Sequence, residues 1–199
     1  MSPKQIVLAS NNSGKLREFA ALFEPLKIEV LPQSTFDVSE VAEPHETFVE
    51  NALAKARHAA RMTNLPALAD DSGLCVAALG GAPGVHSARF AGEPKSDARN
   101  NVYLLERLRD IADRRAHYAC VLVLVRHAAD PQPVIADGEW HGEILTAPRG
   151  DGGFGYDPLF YVPQLEQTAA ELAPALKNTL SHRGAAFRHL AGRLTTLIW

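Results

Sequence analysis

The stretch Ala67-Leu68-Ala69-Asp70-Asp71-Ser72-Gly73 is the point from which the fold is best worked out. Pro66 interrupts the preceding helical pattern, and three small or apolar residues then predict a brief β-strand. We expect this strand to end at the aspartates, so that residues 70–73 form a tight turn, where functional groups are common. Adjacent side chains on an extended segment face opposite ways, so one aspartate is expected to reach a ligand and the other to fix the loop.

Two interpretations of Asp70 and Asp71 stay open at this point. Carboxylates at a strand end commonly bind Mg²⁺ or act as a general base on water. Two solvated aspartates that only stabilise a turn fit the same pattern.

Outside this stretch, the hydrophobic pattern first alternates between strands and helices and later predicts a hairpin. The N-terminal half is expected to contain strands over Ile6–Ala9 and Ile28–Leu31, a helix from Leu16 to Phe23 and a long helix from Thr47 to Asn64. The C-terminal half is expected to contain a helix over Asp97–Ile111, paired strands over Tyr118–Val125 and Val134–Leu145, a short strand over Leu159–Val162 and a last helix over Ser181–Thr196. This order predicts an α/β fold with a mixed sheet.

Composition excludes several classes of protein. The net charge of -3 argues against a protein that mainly holds nucleic-acid backbone. Cys75 and Cys120 lie far apart without metal-ligand spacing, so neither a zinc site nor a disulfide framework is expected. No segment approaches the roughly 20 apolar residues of a membrane span, and we expect a cytoplasmic protein with no membrane partner.

The loop from Ser10 to Lys15 follows a predicted strand and precedes a predicted helix. Backbone N–H groups and the positive end of the helix dipole favour a phosphate at such a place, and Lys15 would add a positive charge. An ordinary helix-capping loop is the alternative. The pattern is not a Walker A motif, because Ala9 and Leu16 occupy positions that need Gly and Ser or Thr.

Four glutamates lead into or lie on the long helix: Glu40, Glu43, Glu46 and Glu50. Most are explained by the helix dipole, yet one of them, paired with Asp71, would suffice for a Mg²⁺ ion bound to a triphosphate. Lys55 lies further along the same helix, where it is either a solvated charge or a phosphate ligand.

Two further segments carry binding chemistry. Gly152–Pro158 embeds Phe154 and Tyr156 among glycines, which suits either a hairpin corner or a flat ligand stacked on an exposed ring. Near the last helix, Lys177, His182 and Arg183 could donate hydrogen bonds to a keto oxygen or a phosphate.

Taken together, the motifs resemble the inosine/xanthosine triphosphate pyrophosphatase family. Five blocks carry the match in order: Ser-Asn-Asn-Ser-Gly-Lys at 10–15, Thr-Phe-Val-Glu-Asn-Ala at 47–52, Ala-Asp-Asp-Ser-Gly at 69–73, Gly-Gly-Phe-Gly-Tyr-Asp-Pro at 152–158 and Ser-His-Arg-Gly at 181–184. The resemblance implies Mg²⁺-dependent hydrolysis of ITP, dITP or XTP between the α and β phosphates. It also implies a homodimer of elongated, two-lobed subunits around a long mixed sheet flanked by helices, with the active site between the lobes.

The resemblance implies roles residue by residue. Asp71 matches the general base and metal ligand, and Glu43 is favoured over Glu40 as the second metal ligand, although Ala42-Glu43-Pro44-His45 departs from the common Glu-Glu-Thr-Gly. The groups that match substrate contacts are Ser10, Asn11, Asn12, Ser13, Gly14, Lys15 and Lys55 for the phosphates, Ser72 beside Asp71, Phe154, Gly155, Tyr156 and Asp157 for the nucleoside, and Lys177, His182 and Arg183 for the base. A pyrimidine-directed pyrophosphatase and a nucleotide sensor without turnover are the rival interpretations.

Overall fold

The computed structural model describes residues 4–194, and its elements form an α/β fold. In chain order they are β1 Lys4–Leu8, α1 Ser13–Phe23, β2 Ile28–Pro32, α2 Phe48–Thr63, β3 Ala67–Val76, α3 Asp97–Arg107, β4 Arg115–Val125, β5 Val134–Ile144, β6 Phe160–Val162, β7 Gln167–Thr168, α4 Pro174–Leu180 and α5 His182–Leu194. Within this range, seven strands form one sheet in the order β2-β1-β3-β4-β5-β6-β7. Strand β1 pairs in parallel with β2 and β3, whereas β6 pairs antiparallel with β5 and β7, so the predicted mixed sheet is confirmed.

Strand β3 corrects the expectation at the centre of the sequence. The predicted tight turn over residues 70–73 is wrong, because the strand continues through both aspartates to Val76. Leu74 and Val76 are fully buried apolar residues. Their packing in the core stabilises the strand beyond the polar segment. Asp70 and Asp71 are buried as well, at 1% and 6% exposure, so they are not solvated turn residues.

Elsewhere, the end of one helix and the presence of one short helix differ from the expectation. Helix α3 ends at Arg107 rather than at Ile111, although Leu108 continues the buried helical spacing of Leu104. Helix α4 was not predicted, since it is only seven residues long and begins at a proline. The last helix is described up to Leu194, and the two final residues of its predicted range, Thr195 and Thr196, lie outside the described residues.

Contacts along the chain define two compact units. The first consists of the described residues up to Asp71, residues 120–138 and the described residues from Gly184 onwards. Strand β1 has apolar groups on both of its faces here. Ile6 and Leu8 pack in a cluster with Phe19 of α1, whereas Val7 packs in a second cluster with Ala56 of α2.

The second unit consists of residues 72–119 and 139–183. Its core combines Leu104 of α3 with apolar residues of four strands, among them Leu74, Tyr118, Trp140 and Phe160. No helix in the described range is long and apolar enough to cross a lipid bilayer.

Candidate active site

Residues 10–15 form the predicted loop between β1 and α1, and side chains within it cap the helix. Asn12 is the N-cap, and its Oδ1 accepts a hydrogen bond from the Lys15 N–H at 3.0 Å. Ser10 Oγ accepts from the Asn12 N–H at 3.2 Å. The N–H groups of Ser13 and Gly14 lie in the first turn, where a helix supplies no backbone acceptor of its own. The capping and anion-binding interpretations of this loop are therefore compatible with each other.

Asp70 holds the lysine of this loop. Lys15 Nζ forms a salt bridge with Asp70 Oδ1, and the Asp70 side chain is 0% exposed. On the other carboxylate oxygen, the thiol of Cys120 is a donor at 3.3 Å. These contacts support the expectation that Asp70 fixes its surroundings rather than reacts.

Asp71 occupies a different environment, in contact with α2. Lys55 Nζ lies 2.7 Å from Asp71 Oδ1 and 2.9 Å from Glu43 Oε1, so one ammonium group bridges two carboxylates. Within the described residues, Asp71 Oδ2 is buried and has no hydrogen-bond partner. A buried carboxylate oxygen without a partner is costly unless a ligand or water satisfies it.

Burial sets the charge behaviour of this cluster. It raises the pKa of Asp71 above its ordinary value, because it outweighs the opposing effect of Lys55. Burial lowers the pKa of Lys55, but the charges of Asp71 and Glu43 outweigh it and hold that pKa above its ordinary value. Asp71 is thus a stronger base than a solvated aspartate beside a lysine that stays charged.

The donor set fits a Mg²⁺ ion that a substrate helps to bind. No group of three or more His, Cys, Asp or Glu side chains in the described range is arranged to hold a metal by itself. Mg²⁺ in phosphate-processing sites, however, commonly takes one or two protein carboxylates and completes its shell with water and phosphate oxygens. Glu43 and Asp71 already contact one cation, the ammonium group of Lys55. The second carboxylate oxygen of Asp71, Oδ2, has no hydrogen-bond partner among the described residues.

The other glutamates before and on α2 have different partners. Glu40 Oε1 accepts from Asn11 Nδ2 at 3.4 Å, in the loop between β1 and α1. Glu50 pairs with Thr47, the N-cap of α2: the Glu50 N–H donates to Thr47 Oγ1, and the Glu50 carboxylate accepts from the same hydroxyl at 2.5 Å. The geometry therefore supports the choice of Glu43 over Glu40 as the partner of Asp71.

In the second unit, Asp157 is the centre of a buried polar cluster. Its Oδ2 accepts hydrogen bonds from Lys177 Nζ at 2.6 Å and from the Phe154 N–H at 2.8 Å. Its Oδ1 accepts from the hydroxyl of Tyr118 at 3.4 Å. The side chains of Lys177 and Asp157 are only 7% and 4% exposed, so the ion pair fixes the glycine-rich loop from inside.

The predicted base-binding groups gather around Phe154. Lys177 Nζ lies 4.8 Å and Arg183 Cζ 5.8 Å from the centroid of its ring. Arg183 Nη2 donates to Ser72 Oγ at 3.0 Å, and the ring of His182 stacks on Tyr118 with centroids 4.7 Å apart. Cationic donors and an aromatic face are the groups that hold a planar, oxygen-bearing ring.

The other two predicted nucleoside contacts in the glycine-rich loop, Gly155 and Tyr156, have partners within the protein. Tyr156 is 4% exposed and its hydroxyl donates to the Ser87 carbonyl at 2.8 Å, so the argument from an exposed ring does not apply to it. Gly155 has φ +64° and bonds through both backbone groups, to Asp97 Oδ2 at 2.7 Å and from Asn101 Nδ2 at 2.9 Å. Both residues shape the loop.

Tyr118 and Ser87 are two residues that sequence reasoning missed. A buried tyrosine usually needs a partner for its hydroxyl, and this was the available signal for Tyr118. Ser87 had no sequence signal, because the pattern around it does not show that its hydroxyl joins Gly84 to Leu74 of β3. Its hydroxyl donates to the Gly84 carbonyl at 2.6 Å and accepts from the Leu74 N–H at 2.9 Å. A Cβ on Gly73 would lie 2.2 Å from that carbonyl oxygen, so only glycine fits there.

Comparisons with known proteins agree with these motifs. The model of the Ham1 family matches residues 6–193. A protein of Aromatoleum aromaticum named dITP/XTP pyrophosphatase is 72% identical over 192 residues, which are 96% of this chain and 97% of that protein. One of Burkholderia pseudomallei with the same name is 67% identical over 193 residues, 96% of this chain and 93% of its own. The solved structure of a HAM1 protein from Coxiella burnetii has a TM-score of 0.90 at 52% identity, covering 98% of this chain and 100% of that one.

Proposed function

The chain belongs to the Ham1 family, and from that premise we propose that it is a nucleoside-triphosphate pyrophosphohydrolase acting on ITP, dITP and XTP. The products are the nucleoside monophosphate and pyrophosphate, and the role is to remove non-standard purines from the nucleotide pool. The observation that carries the chemistry is Asp71, a buried carboxylate with a raised pKa and an unpartnered oxygen beside Lys55 and Glu43.

Asp71 is proposed as the general base. Its Oδ2 accepts a proton from a water molecule that attacks the α phosphorus, and the bond from that phosphorus to the α–β bridging oxygen breaks. The raised pKa makes proton transfer from water more favourable than it would be to a solvated aspartate. A Mg²⁺ ion held by Asp71 and Glu43 would neutralise negative charge on the triphosphate.

Two lysines and a helix N-terminus are proposed to bind the phosphates. Two carboxylates use two of the three N–H donors of Lys55, which leaves one for a phosphate oxygen. Lys15 and the first-turn N–H groups of Ser13 and Gly14 supply further positive potential at the start of α1. These groups stabilise the charge that develops on the departing pyrophosphate.

Base selectivity is proposed to follow from Arg183 and His182. A donor aimed at position 6 satisfies the keto oxygen of hypoxanthine or xanthine, but it faces another donor, the amino group, in adenine. Arg183 has one N–H on Ser72 and further donors in the same plane. Guanine also has a 6-keto oxygen, so its exclusion requires close packing beside C2 that still admits the 2-keto oxygen of xanthine.

A substrate panel tests the proposal. Purified protein with Mg²⁺ should release pyrophosphate from dITP far faster than from dATP or dGTP. Orthophosphate as the only product, or equal turnover of the ordinary nucleotides, would refute it. Preference for a modified pyrimidine nucleotide would favour the first rival, and stoichiometric binding without turnover would favour the nucleotide sensor.

Asp71→Asn tests the assigned base, with Asp130→Asn as a matched control that removes another buried carboxylate of the first unit. We expect a fall in kcat of about 10³-fold or more for Asp71→Asn, because no other group replaces the base. The control should keep kcat. Wild-type turnover by Asp71→Asn would refute the proposal that Asp71 is the general base.

Three further properties stay proposals that rest on the resemblance. Mg²⁺ dependence is tested by chelation with EDTA and by restoring activity with Mg²⁺ or Mn²⁺. A homodimer is tested by light scattering coupled to size-exclusion chromatography. A cytoplasmic location is tested by cell fractionation.

A further inference from the structure

Tyr118 on β4 contacts two groups of the proposed base site that lie far from each other in the sequence. Its ring is nearly parallel to that of His182, with 12° between the planes and 4.7 Å between the centroids. Its hydroxyl donates to Asp157 Oδ1 at 3.4 Å. Both contacts lie inside the second unit, and Tyr118 itself lies outside the five sequence blocks.

The surroundings hold the Tyr118 ring in one position. The residue is 8% exposed, and its ring also packs against Phe160 at 4.6 Å and Trp140 at 6.5 Å between centroids. Packing of this kind leaves little rotational freedom to a side chain with two rotatable bonds. Burial, and next the charge of Asp157, raise the pKa of Tyr118 well above its ordinary value, so the phenol stays a neutral donor.

We propose that Tyr118 is a positioning residue for purine selectivity, which acts through His182 and Asp157 rather than on the nucleotide itself. The stack fixes the plane of the His182 ring and so the direction of its donors. The hydroxyl supports Asp157, which in turn holds Lys177 Nζ and the Phe154 N–H. This inference rests on the proposed function, because it assumes that these groups contact the base.

Two substitutions of Tyr118 test its hydrogen bond and its ring stack separately. Tyr118→Phe keeps the stack and removes a hydrogen bond that is long at 3.4 Å, so it should raise KM for dITP only about threefold. Tyr118→Leu removes the stack and with it the aromatic contact that orients the His182 ring. We expect the ratio of kcat/KM for dITP to that for dATP to fall about tenfold or more in Tyr118→Leu, and Tyr118→Phe to restore most of it.

Trp140→Phe is the matched control, since the Trp140 ring packs on the same Tyr118 ring and on Phe160, and the substitution reduces that packing. This variant should keep the dITP/dATP ratio. Inorganic triphosphate, a probe without a base, should inhibit wild type, Tyr118→Leu and Trp140→Phe with inhibition constants within about twofold of each other. A fall in the dITP/dATP ratio with unchanged inhibition by inorganic triphosphate thus separates loss of base positioning from general damage to the protein.

The ring protons of His182 give a readout that does not depend on turnover. In wild-type protein, NMR should find them shifted upfield by the stacked Tyr118 ring, and Tyr118→Leu should remove the shift while the remaining spectrum stays dispersed. An unchanged dITP/dATP ratio in Tyr118→Leu, or an equal loss in Trp140→Phe, would overturn the inference. A wild type that fails to hydrolyse dITP would instead refute the proposed function, so the two failures are distinguishable.

Discussion

Replacement of Asp70 by Asn tests whether this carboxylate is the support of the pair. Its side chain is 0% exposed and its partner Lys15 is 16% exposed. Loss of one partner of a buried ion pair costs about 3–5 kcal/mol, because the other charge stays buried without a counterion. Lys15 keeps some contact with water, so we expect the lower end, about 3 kcal/mol. In a chain of 199 residues this lowers Tm by about 6–12 °C.

The assay is a double-mutant cycle followed by urea denaturation and circular dichroism. It compares wild type, Asp70→Asn, Lys15→Met and the double variant, and the expected coupling free energy is about 2 kcal/mol. Asp113→Asn is the control, since the ion pair of Asp113 with Arg115 is on the surface and should contribute little.

Activity gives a second measurement on the same proteins. Asp70→Asn retains the proposed base, Asp71, so kcat should stay within about threefold. KM for dITP should rise about tenfold, because Lys15 is no longer held beside the proposed phosphate-binding loop. Additivity of the two single substitutions within about 0.5 kcal/mol would refute the coupling. A loss of kcat as large as that of Asp71→Asn would refute the division of roles between the aspartates.

Three other substitutions test contacts elsewhere in the structure. An arginine side chain and two backbone N–H groups hold the pKa of Asp130 well below its ordinary range, so Asp130→Asn should cost about 2 kcal/mol at pH 7. That difference should shrink in urea titrations as the pH falls below about 4, since stability from a lowered pKa is lost on protonation. Lys55→Met should lower kcat about 100-fold. In calorimetry it should also tighten Mg²⁺ binding to nucleotide-free protein, because Lys55 and Mg²⁺ are proposed to use the same two carboxylates, Asp71 and Glu43. Unchanged Mg²⁺ affinity would contradict this sharing. Gly73→Ala places a Cβ 2.2 Å from the Gly84 carbonyl oxygen and should destabilise by about 2–3 kcal/mol, whereas Gly192→Ala, with open space, should not.

The mixed sheet and the long helices were predictable because their signals are local. Helix α2 has a threonine N-cap at Thr47 and a left-handed C-cap at Asn64, and these were the two predicted ends. Helix α4 escaped prediction because seven residues carry too little periodicity.

The environment of the loop residues depends on tertiary contacts and could not be predicted locally. Phe154 and Tyr156 are two positions apart among glycines, yet it is the Phe154 ring that lies beside the cations of Lys177 and Arg183. The position of Tyr156 is set by the carbonyl of Ser87, which lies 69 positions away in the chain. No sequence pattern shows which ring a distant carbonyl will bind.

The two aspartates differ because they lie on a β-strand and not in the predicted turn. In an exposed turn both carboxylates would have been solvated and nearly equivalent. In a strand, Asp70 lies on the face of Leu68, where α1 packs and supplies Lys15, whereas Asp71 lies on the face of Ala69, where α2 packs and supplies Lys55. Because the alternation is fixed by the backbone, Asp70 cannot replace the carboxylate lost in Asp71→Ala, although it is the adjacent residue. The alternation of the strand therefore determines which aspartate is placed for the proposed role of base.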